Sequence, residues 1–286
     1  KQKYKCTETK LKRQYKNQQG NMLKNLRRKN PKKFYQKFKR PKTENGHKIT
    51  LEQFQKHFKN LMSNNSETDK ATNTETLPNV HEELDIPFTE IELEKCLKKL
   101  KYDKATGFDN IMNEYLIAGK TVLIPILCKL FNNILNSGNF PEIWVNSIIV
   151  PVFKKGDVND PNNYRGISLV SHVGKFFTSL LNTRLLQWSE KNNVLTDAQF
   201  GFRPGFGTVD AVFALYSLIT NSLSKGKRLY CCFVDYTRAF DSVTHYKLWQ
   251  RLVRCGVTGR LLNVIKSMYS KLKTCVKLNG KFSEFF

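Results

Sequence analysis

Apolar residues recur along this chain with two periods, one typical of helices and one typical of strands. Helical spacing is clear in LEQFQKHFKNLM (51–62), where Leu51, Phe54, Phe58 and Leu61 share one face. The same spacing extends over much of the chain. We therefore predict helices over 1–40, 51–62, 88–101, 121–136, 173–188, 208–223, 244–255 and 258–271.

Shorter apolar runs predict strands. WVNSIIVPVF (144–153) and NYRGISLV (163–170) flank a polar turn, which indicates a hairpin. The continuous apolar run over 228–235 predicts a buried central strand. TCVKLNGKFSEFF predicts a second hairpin that turns at Asn279-Gly280, a dipeptide favoured in tight turns. Together, these helices and strands predict an α+β fold.

The composition changes twice along the chain and divides it into three segments. Residues 1–62 are basic and helical, which predicts a nucleic-acid-binding segment. Residues 63–87 are polar and acidic, and their Ser, Asn and Thr content is typical of a linker. Residues 88–286 contain most of the apolar stretches and predict a compact domain.

Net charge indicates the class of partner. The chain has 286 residues with 48 Lys+Arg and 24 Asp+Glu, a net charge of +24. Residues 1–48 hold 18 of these cations and two acids, so they alone carry +16. Such an excess predicts nucleic acid as the partner. A solvated face or a disordered basic tail is the plainer interpretation of the same charges.

Cysteine usage and hydropathy bear on the compartment. None of the seven cysteines forms a C-x-x-C pair, and reduced thiols in an intracellular protein are expected. No signal peptide or membrane span is visible, so no membrane partner is expected. Nucleus and cytoplasm both stay open.

Asp235 is the carboxylate most suggestive of chemistry. It ends the apolar run, where a buried carboxylate is costly unless a cation or hydrogen-bond donor meets it. A metal ligand and a turn cap are both consistent with this position. Asp241 follows six residues later, roughly 20 Å along an extended strand, whereas paired catalytic metals lie about 4 Å apart. We therefore expect Asp241 to cap the next segment.

Two further segments carry groups suited to nucleotides. Lys154, Lys155 and Arg165 flank the first predicted hairpin, and such cations can close over a triphosphate. Residues 199–208, QFGFRPGFGT, combine glycines and aromatics with Arg203, which suits contact with nucleotides. Solvated turn lysines and a structured loop before a helix are the plainer interpretations of these two segments.

Taken in order, five segments resemble the fingers and early palm of reverse transcriptases from LINE-type (non-LTR) retrotransposons. They are KATGFDNI (104–111), PVFKKGD (151–157), NYRGISLVSHVGKFF (163–177), LTDAQFGFRPGFGT (195–208) and FVDYTRAFDSV (233–243). The resemblance covers residues 88–286. It implies the fingers and partial palm of a right-hand polymerase, preceded here by the basic helical segment.

The resemblance also implies an activity and its partners. The family performs RNA-directed DNA synthesis, in which a primer 3′-hydroxyl attacks the α-phosphate of a deoxynucleoside triphosphate with Mg²⁺ as cofactor. An RNA template, a DNA primer or target and deoxynucleoside triphosphates are the implied partners.

Matched residue by residue, the resemblance implies roles for individual side chains. Asp235 would be the catalytic metal ligand. Tyr236 and Phe240 would contact the incoming nucleotide, and Phe240 would crowd a ribose 2′-hydroxyl. The remaining matches would contact the triphosphate (Lys154, Lys155, Arg165) or the template (Gln199, Gly201, Arg203).

One departure from the family limits these expectations. The chain contains no adjacent aspartate pair, the hallmark of the family's second catalytic motif. We therefore expect an incomplete fragment that is inactive alone. Two alternatives stay open: a non-catalytic nucleic-acid-binding protein derived from such a fragment, or a relative of group II intron maturases or telomerase.

Overall fold

The structure is a computed structural model that describes residues 2–29, 31, 34–35, 48–63, 82–236, 239–240 and 243–286. The chain divides into two compact units, Lys1–Lys48 and Ile49–Phe286. In the first unit, α1 (Gln2–Lys29) ends in Arg27, Arg28 and Lys29, and its described side chains are almost all exposed. This unit therefore offers a long basic helix to solvent.

The second unit contains the other described helices and a four-stranded sheet, which confirms the predicted α+β class. Its helices are α2 (Leu51–Ser63), α3 (Glu90–Leu97), α4 (Asn113–Ala118), α5 (Lys120–Ser137), α6 (Glu142–Val145), α7 (His172–Lys191), α8 (Thr208–Ser224), α9 (His245–Arg254) and α10 (Gly259–Ser270). Its strands are β1 (Ser147–Phe153), β2 (Tyr164–Leu169), β3 (Thr274–Leu278) and β4 (Lys281–Phe282). The helices predicted over 51–62, 121–136, 173–188, 208–223, 244–255 and 258–271 are thus confirmed.

The sheet has the order β2-β1-β3-β4. β1 and β2 form the predicted antiparallel hairpin, with Val152 opposite Arg165 and Phe153 opposite Tyr164. β3 runs parallel to β1 and antiparallel to β4. The turn between β3 and β4 is the predicted one, since Asn279 and Gly280 adopt φ values of 48° and 80°.

The main core lies between helices and is built around aromatic rings. Phe131 of α5 and Phe176 and Phe177 of α7 are fully buried, and the Phe131 and Phe176 rings are 5.6 Å apart. Two apolar residues of α5, Ile126 and Leu130, are nevertheless exposed. Within the described ranges, no helix is both long and apolar enough to cross a membrane.

Residues 82–92, which lead into α3, pack against α7 of this core through the side chain of Arg184. The buried Arg184 side chain donates hydrogen bonds to the carbonyls of Leu84, Ile86 and Pro87 and pairs with the Glu92 carboxylate. A capping box formed by Thr89 and Glu92 opens α3. Part of the expected 63–87 linker therefore packs on the domain, while residues 64–81 lie outside the described part.

The placement of α2 differs from the predicted division after residue 62. Phe54 and Phe58 of α2 are buried against Ile149 of β1 and Val276 of β3. Because this contact joins α2 to the sheet, the second unit begins at Ile49, and the basic segment is shorter than predicted.

The predicted central strand over 228–235 is wrong for this structure. Residues 227–236 have no regular secondary structure, and Tyr230 and Phe233 are 85% and 82% exposed. A strand requires a hydrogen-bonded neighbour, and none of β1 to β4 pairs with this run. The apolar composition of this run indicated burial, but it carried no information about a neighbouring strand that could pair with it.

Candidate nucleotide and nucleic-acid interface

The β1–β2 hairpin brings the three predicted triphosphate-binding cations to one end of the sheet. The backbone N–H of Lys154 donates to the carbonyl of Asn163 at 2.9 Å and so closes the hairpin. Arg165 lies two positions beyond that pair, about 7 Å away along the strand. Lys154, Lys155 and Arg165 are all exposed. The hairpin can therefore present three cations to one anionic ligand.

The acidic residues of the connecting loop are engaged by the loop itself. Asp157 Oδ1 accepts the Asn159 N–H and Asp160 Oδ1 accepts the Asn162 N–H, each at 2.9 Å. The Asn162 N–H holds the pKa of the Asp160 carboxyl below its usual value. These local turns stiffen the loop and turn both carboxylates toward backbone amides. The lysines beside them therefore keep their positive charge available for a ligand.

Helix α2 braces the same hairpin from one side. The Phe54 ring meets the Tyr164 ring edge to face at 4.9 Å, and the Tyr164 hydroxyl donates to the Val158 carbonyl at 2.8 Å. Gly166 is needed here, because a Cβ atom at this position would lie 2.8 Å from the Phe58 ring. Aromatic packing thus fixes the strand that carries Arg165.

The loop over residues 195–207 is organised by Arg203, one of the predicted template residues. Its guanidinium pairs with both carboxylate oxygens of Glu190 at 2.8 Å and donates to the Thr196 carbonyl at 2.9 Å. It also lies 4.5 Å from the centre of the Phe206 ring. The Arg203 hydrogen bonds hold the pKa of the Glu190 carboxyl below its usual value. Arg203 is therefore occupied by contacts that shape the loop.

The other predicted template residues lie on the surface of this loop. Gln199 donates from its side-chain amide to the Gly201 carbonyl at 3.0 Å. Phe202, next to Gly201, is 84% exposed and adopts a φ of 63°. Its ring contacts the Phe240 ring at 5.9 Å. The structure thus brings the loop together with the segment that carries Asp235.

The segment around Asp235 is exposed throughout its described part. Asp235 itself is exposed, and Tyr236 and Phe240 are 74% and 78% exposed. Asp241 lies outside the described residues. Asp235 is the only acidic residue in the sequence from Arg228 to Tyr236.

A magnesium site is not complete among the described residues. Mg²⁺ takes six oxygen ligands, of which proteins usually supply one or two carboxylates. No group of three or more His, Cys, Asp or Glu side chains with metal-binding geometry occurs in the described part of the chain. Asp235 is a single exposed carboxylate, and the described residues around it do not complete a metal site.

Comparison with known proteins identifies the family. Residues 152–286 match the family described as reverse transcriptase (RNA-dependent DNA polymerase). The chain is 30% identical over 193 residues to the probable RNA-directed DNA polymerase from transposon BS of Drosophila melanogaster, covering 67% of this chain and 21% of that protein. It is also 30% identical over 195 residues to the RNA-directed DNA polymerase from mobile element jockey of Drosophila funebris, covering 68% and 21%.

Residues 152–286 belong to the reverse transcriptase family, and the relatives that the chain matches are polymerases of non-LTR retrotransposons. A more distant relative, the Pol polyprotein from type-1 retrotransposable element R2 of Nasonia vitripennis, is 28% identical over 157 residues, 54% of this chain and 15% of that protein. The chain spans about a fifth of the length of the jockey and BS relatives. The reverse transcriptase family is generally dependent on divalent metal ions.

Sequence reasoning missed two features of this reverse transcriptase interface. The first is the α2 brace, since helical periodicity shows that α2 has an apolar face but not what covers it. The second is the commitment of Arg203 to Glu190, since the two residues are 13 positions apart and lie in different elements. Both contacts are tertiary, and no local pattern in the sequence encodes them.

Proposed function

We propose that this chain contributes the nucleotide-binding and template-binding part of an RNA-directed DNA polymerase of a non-LTR retrotransposon. The observation that carries the proposal is the match of residues 152–286 to the reverse transcriptase family, which includes the hairpin cations, the 195–207 loop and Asp235. RNA template, DNA primer or target and deoxynucleoside triphosphates are its proposed ligands.

In this proposal the exposed cations, aromatic residues and Asp235 each have a separate role in binding the nucleotide. Arg165 binds the triphosphate through a bidentate contact, and Lys154 and Lys155 add positive charge beside it. Phe240 and Tyr236 lie against the nucleotide sugar, where Phe240 disfavours a ribose 2′-hydroxyl. Asp235 supplies one oxygen ligand to a divalent metal, which neutralises charge on the phosphates when it is bound.

The predicted template residues have two different roles: some contact the template strand, and one holds the loop in shape. Gln199 and Gly201, at the loop surface, contact the template strand. Arg203 acts by holding the loop in shape, because its guanidinium is already engaged by Glu190. The exposed Phe202 ring beside Phe240 extends the same surface.

A test of the nucleotide site needs an active polymerase. We would join residues 1–286 to the part of the Drosophila funebris jockey protein that follows its aligned segment, and measure RNA-templated primer extension. Arg165→Gln should raise the KM for deoxynucleoside triphosphates about tenfold or more, as expected for the loss of a charge-assisted hydrogen bond.

The matched control is Lys191→Gln, which removes one cation that pairs with Glu83. It should leave the KM unchanged. An unchanged KM for Arg165→Gln in an active, folded enzyme would contradict the assignment of the hairpin as the triphosphate site.

The basic α1 supports a second candidate, a nucleic-acid-binding protein without catalysis. The +16 charge of residues 1–48 would suffice for non-specific binding. Primer extension separates the two functions, because only the polymerase depends on Asp235.

A further inference from the structure

Phe202, in the loop over residues 195–207, has a backbone conformation that is unusual for its residue type. Its φ is 63°, in the left-handed region, which is rare for bulky side chains. The other described non-glycine residues with positive φ are all aspartate or asparagine: Asp103, Asn110, Asn193 and Asn279. Phe202 is therefore the one bulky residue held in this conformation in the part of the chain that the structure describes.

The contacts on either side of Phe202 hold this conformation. The Gln199 side-chain amide donates to the Gly201 carbonyl at 3.0 Å, and the Arg203 guanidinium is fixed by the Glu190 carboxylate at 2.8 Å. A strained backbone persists only where the surrounding structure determines it, and such positions cluster at functional sites. Both neighbours of Phe202 are thus anchored, and the strained residue lies between them.

Burial does not account for a phenylalanine at this position. Phe202 is 84% exposed, whereas an apolar side chain stabilises a fold by being removed from water. The Phe200 and Phe206 rings, by contrast, pack together within the loop at 5.9 Å, with Arg203 over Phe206. Glycine at position 202 would relieve the backbone strain and would lose little buried surface. Stability of the loop therefore does not require the Phe202 ring.

The contact that the Phe202 ring does make is with Phe240. The two ring centres are 5.9 Å apart and the ring planes are inclined at 88°, an edge-to-face arrangement in which aromatic pairs attract each other. Phe240 is itself 78% exposed. An exposed phenylalanine can change rotamer, and a second ring against it restricts that motion. Phe202 is thus placed to fix the orientation of the Phe240 ring.

We propose that Phe202 is a positioning residue for the discrimination between deoxyribonucleotides and ribonucleotides. The inference rests on the proposed function, in which Phe240 disfavours a ribose 2′-hydroxyl. A steric barrier of this kind works only if the ring cannot move aside when a ribonucleotide enters. Phe202 prevents that movement because it contacts the Phe240 ring and is itself held by the anchored loop.

The first test uses the full chain with para-fluorophenylalanine in place of phenylalanine and records its fluorine NMR spectrum. Phe240→Ala identifies the Phe240 signal by its loss. Phe202→Gly should shift that signal, because it removes the neighbouring ring, and Phe202→Tyr should keep it close to its wild-type position. Phe213→Ala removes a 68% exposed ring from α8 and should leave the signal in place. An unmoved Phe240 signal in Phe202→Gly would overturn the proposal.

The second test measures selectivity in the polymerase completed with the jockey segment. The measured quantity is kcat/KM for a deoxynucleoside triphosphate divided by kcat/KM for the matching ribonucleoside triphosphate. Phe202→Gly should lower this ratio about three- to tenfold, the range expected for the loss of one aromatic pair. Phe202→Tyr should retain the ratio. In the Phe240→Ala background Phe202→Gly should lower it no further, because Phe202 acts through Phe240.

The outcomes separate this proposal from the proposed function. A wild-type ratio in Phe202→Gly, or an equal further loss in the Phe240→Ala background, would overturn the positioning role. A raised KM for the primer–template at an unchanged ratio would also overturn it and would assign Phe202 to the template surface. If Phe240→Ala itself kept the wild-type ratio, the role of Phe240 in the proposed function would fail as well. Urea denaturation should give Phe202→Gly a midpoint no lower than that of the wild type, because glycine relieves the strain.

Discussion

At the scale of single residues, the chain shows that a motif residue can be identified without its role being known. Arg203 stands in a glycine-rich, aromatic segment that suits nucleotides, yet its guanidinium binds Glu190 and the Thr196 carbonyl. Arg165 belongs to another motif and is exposed. Sequence patterns predicted that both arginines contact the ligand. They could not distinguish the two, because burial and ion pairing depend on tertiary neighbours.

Gly259 illustrates a residue whose importance appears only in the structure. Asp85 accepts the backbone N–H groups of Arg260 and Leu261, each at 2.8 Å, and thereby caps α10. Gly259 adopts a φ of 71°, and a Cβ atom there would overlap the Asp85 carboxylate. A side chain at this position would therefore strain the backbone and displace the cap.

We predict that Gly259→Ala lowers the free energy of unfolding by about 3 kcal/mol, from backbone strain plus loss of the cap. Gly226→Ala is the matched control, since Gly226 has a φ of 65° but no atom near its Cβ position. It should cost about 1–2 kcal/mol. Urea denaturation measures the free energy of unfolding of both variants. Equal losses would show that the Asp85 cap of α10 does not require glycine at position 259.

At the scale of elements, most helices and both hairpins followed from periodicity and turn residues. The helix over 173–188 and the Asn279-Gly280 turn have strong local signals, and the structure contains both. The run over 228–235 failed because a strand depends on pairing, which the sequence of the strand itself does not encode. The packing of α2 on the sheet could not be predicted for the same reason, because it depends on residues distant in the sequence.

The contact of α2 with the sheet should be a large source of stability. Phe54 is fully buried between Phe58 and Tyr164. We predict that Phe54→Ala lowers the free energy of unfolding by about 3–5 kcal/mol. Phe213→Ala, at a 68% exposed site of α8, should change it by less than about 0.5 kcal/mol. Similar urea midpoints for the two variants would mean that α2 does not brace the hairpin.

At the scale of the whole molecule, charge is concentrated in one unit. The Lys1–Lys48 unit carries +16 of the net +24. α1 exposes Lys10, Arg13 and Lys16 without an acid beside them in the sequence other than Glu8, which pairs with Lys12. This helix should therefore supply most of the non-specific affinity for nucleic acid.

Replacing Lys10, Arg13 and Lys16 by glutamine should reduce the slope of log affinity against log salt by about 2 on single-stranded RNA. The control replaces three exposed lysines near the end of α3, Lys95, Lys98 and Lys99, and removes the same charge. Its slope should stay close to that of the wild type. Equal reductions in the two triple variants would indicate binding governed by net charge alone.

The proposed function makes Asp235 a ligand of the catalytic metal in the polymerase to which this chain contributes. Asn keeps the size of Asp and removes the charge, so Asp235→Asn should lose metal binding without loss of folding. The same change at Asp241 provides a neighbouring comparison, because the sequence predicts a capping role there.

The most direct measurement is RNA-templated primer extension by the polymerase completed with the jockey segment, at saturating Mg²⁺. Asp235→Asn should abolish extension while primer–template binding and the circular dichroism spectrum stay unchanged, and Asp241→Asn should retain extension. Extension by Asp235→Asn at the wild-type rate would contradict the assignment of Asp235 as a ligand of the catalytic metal.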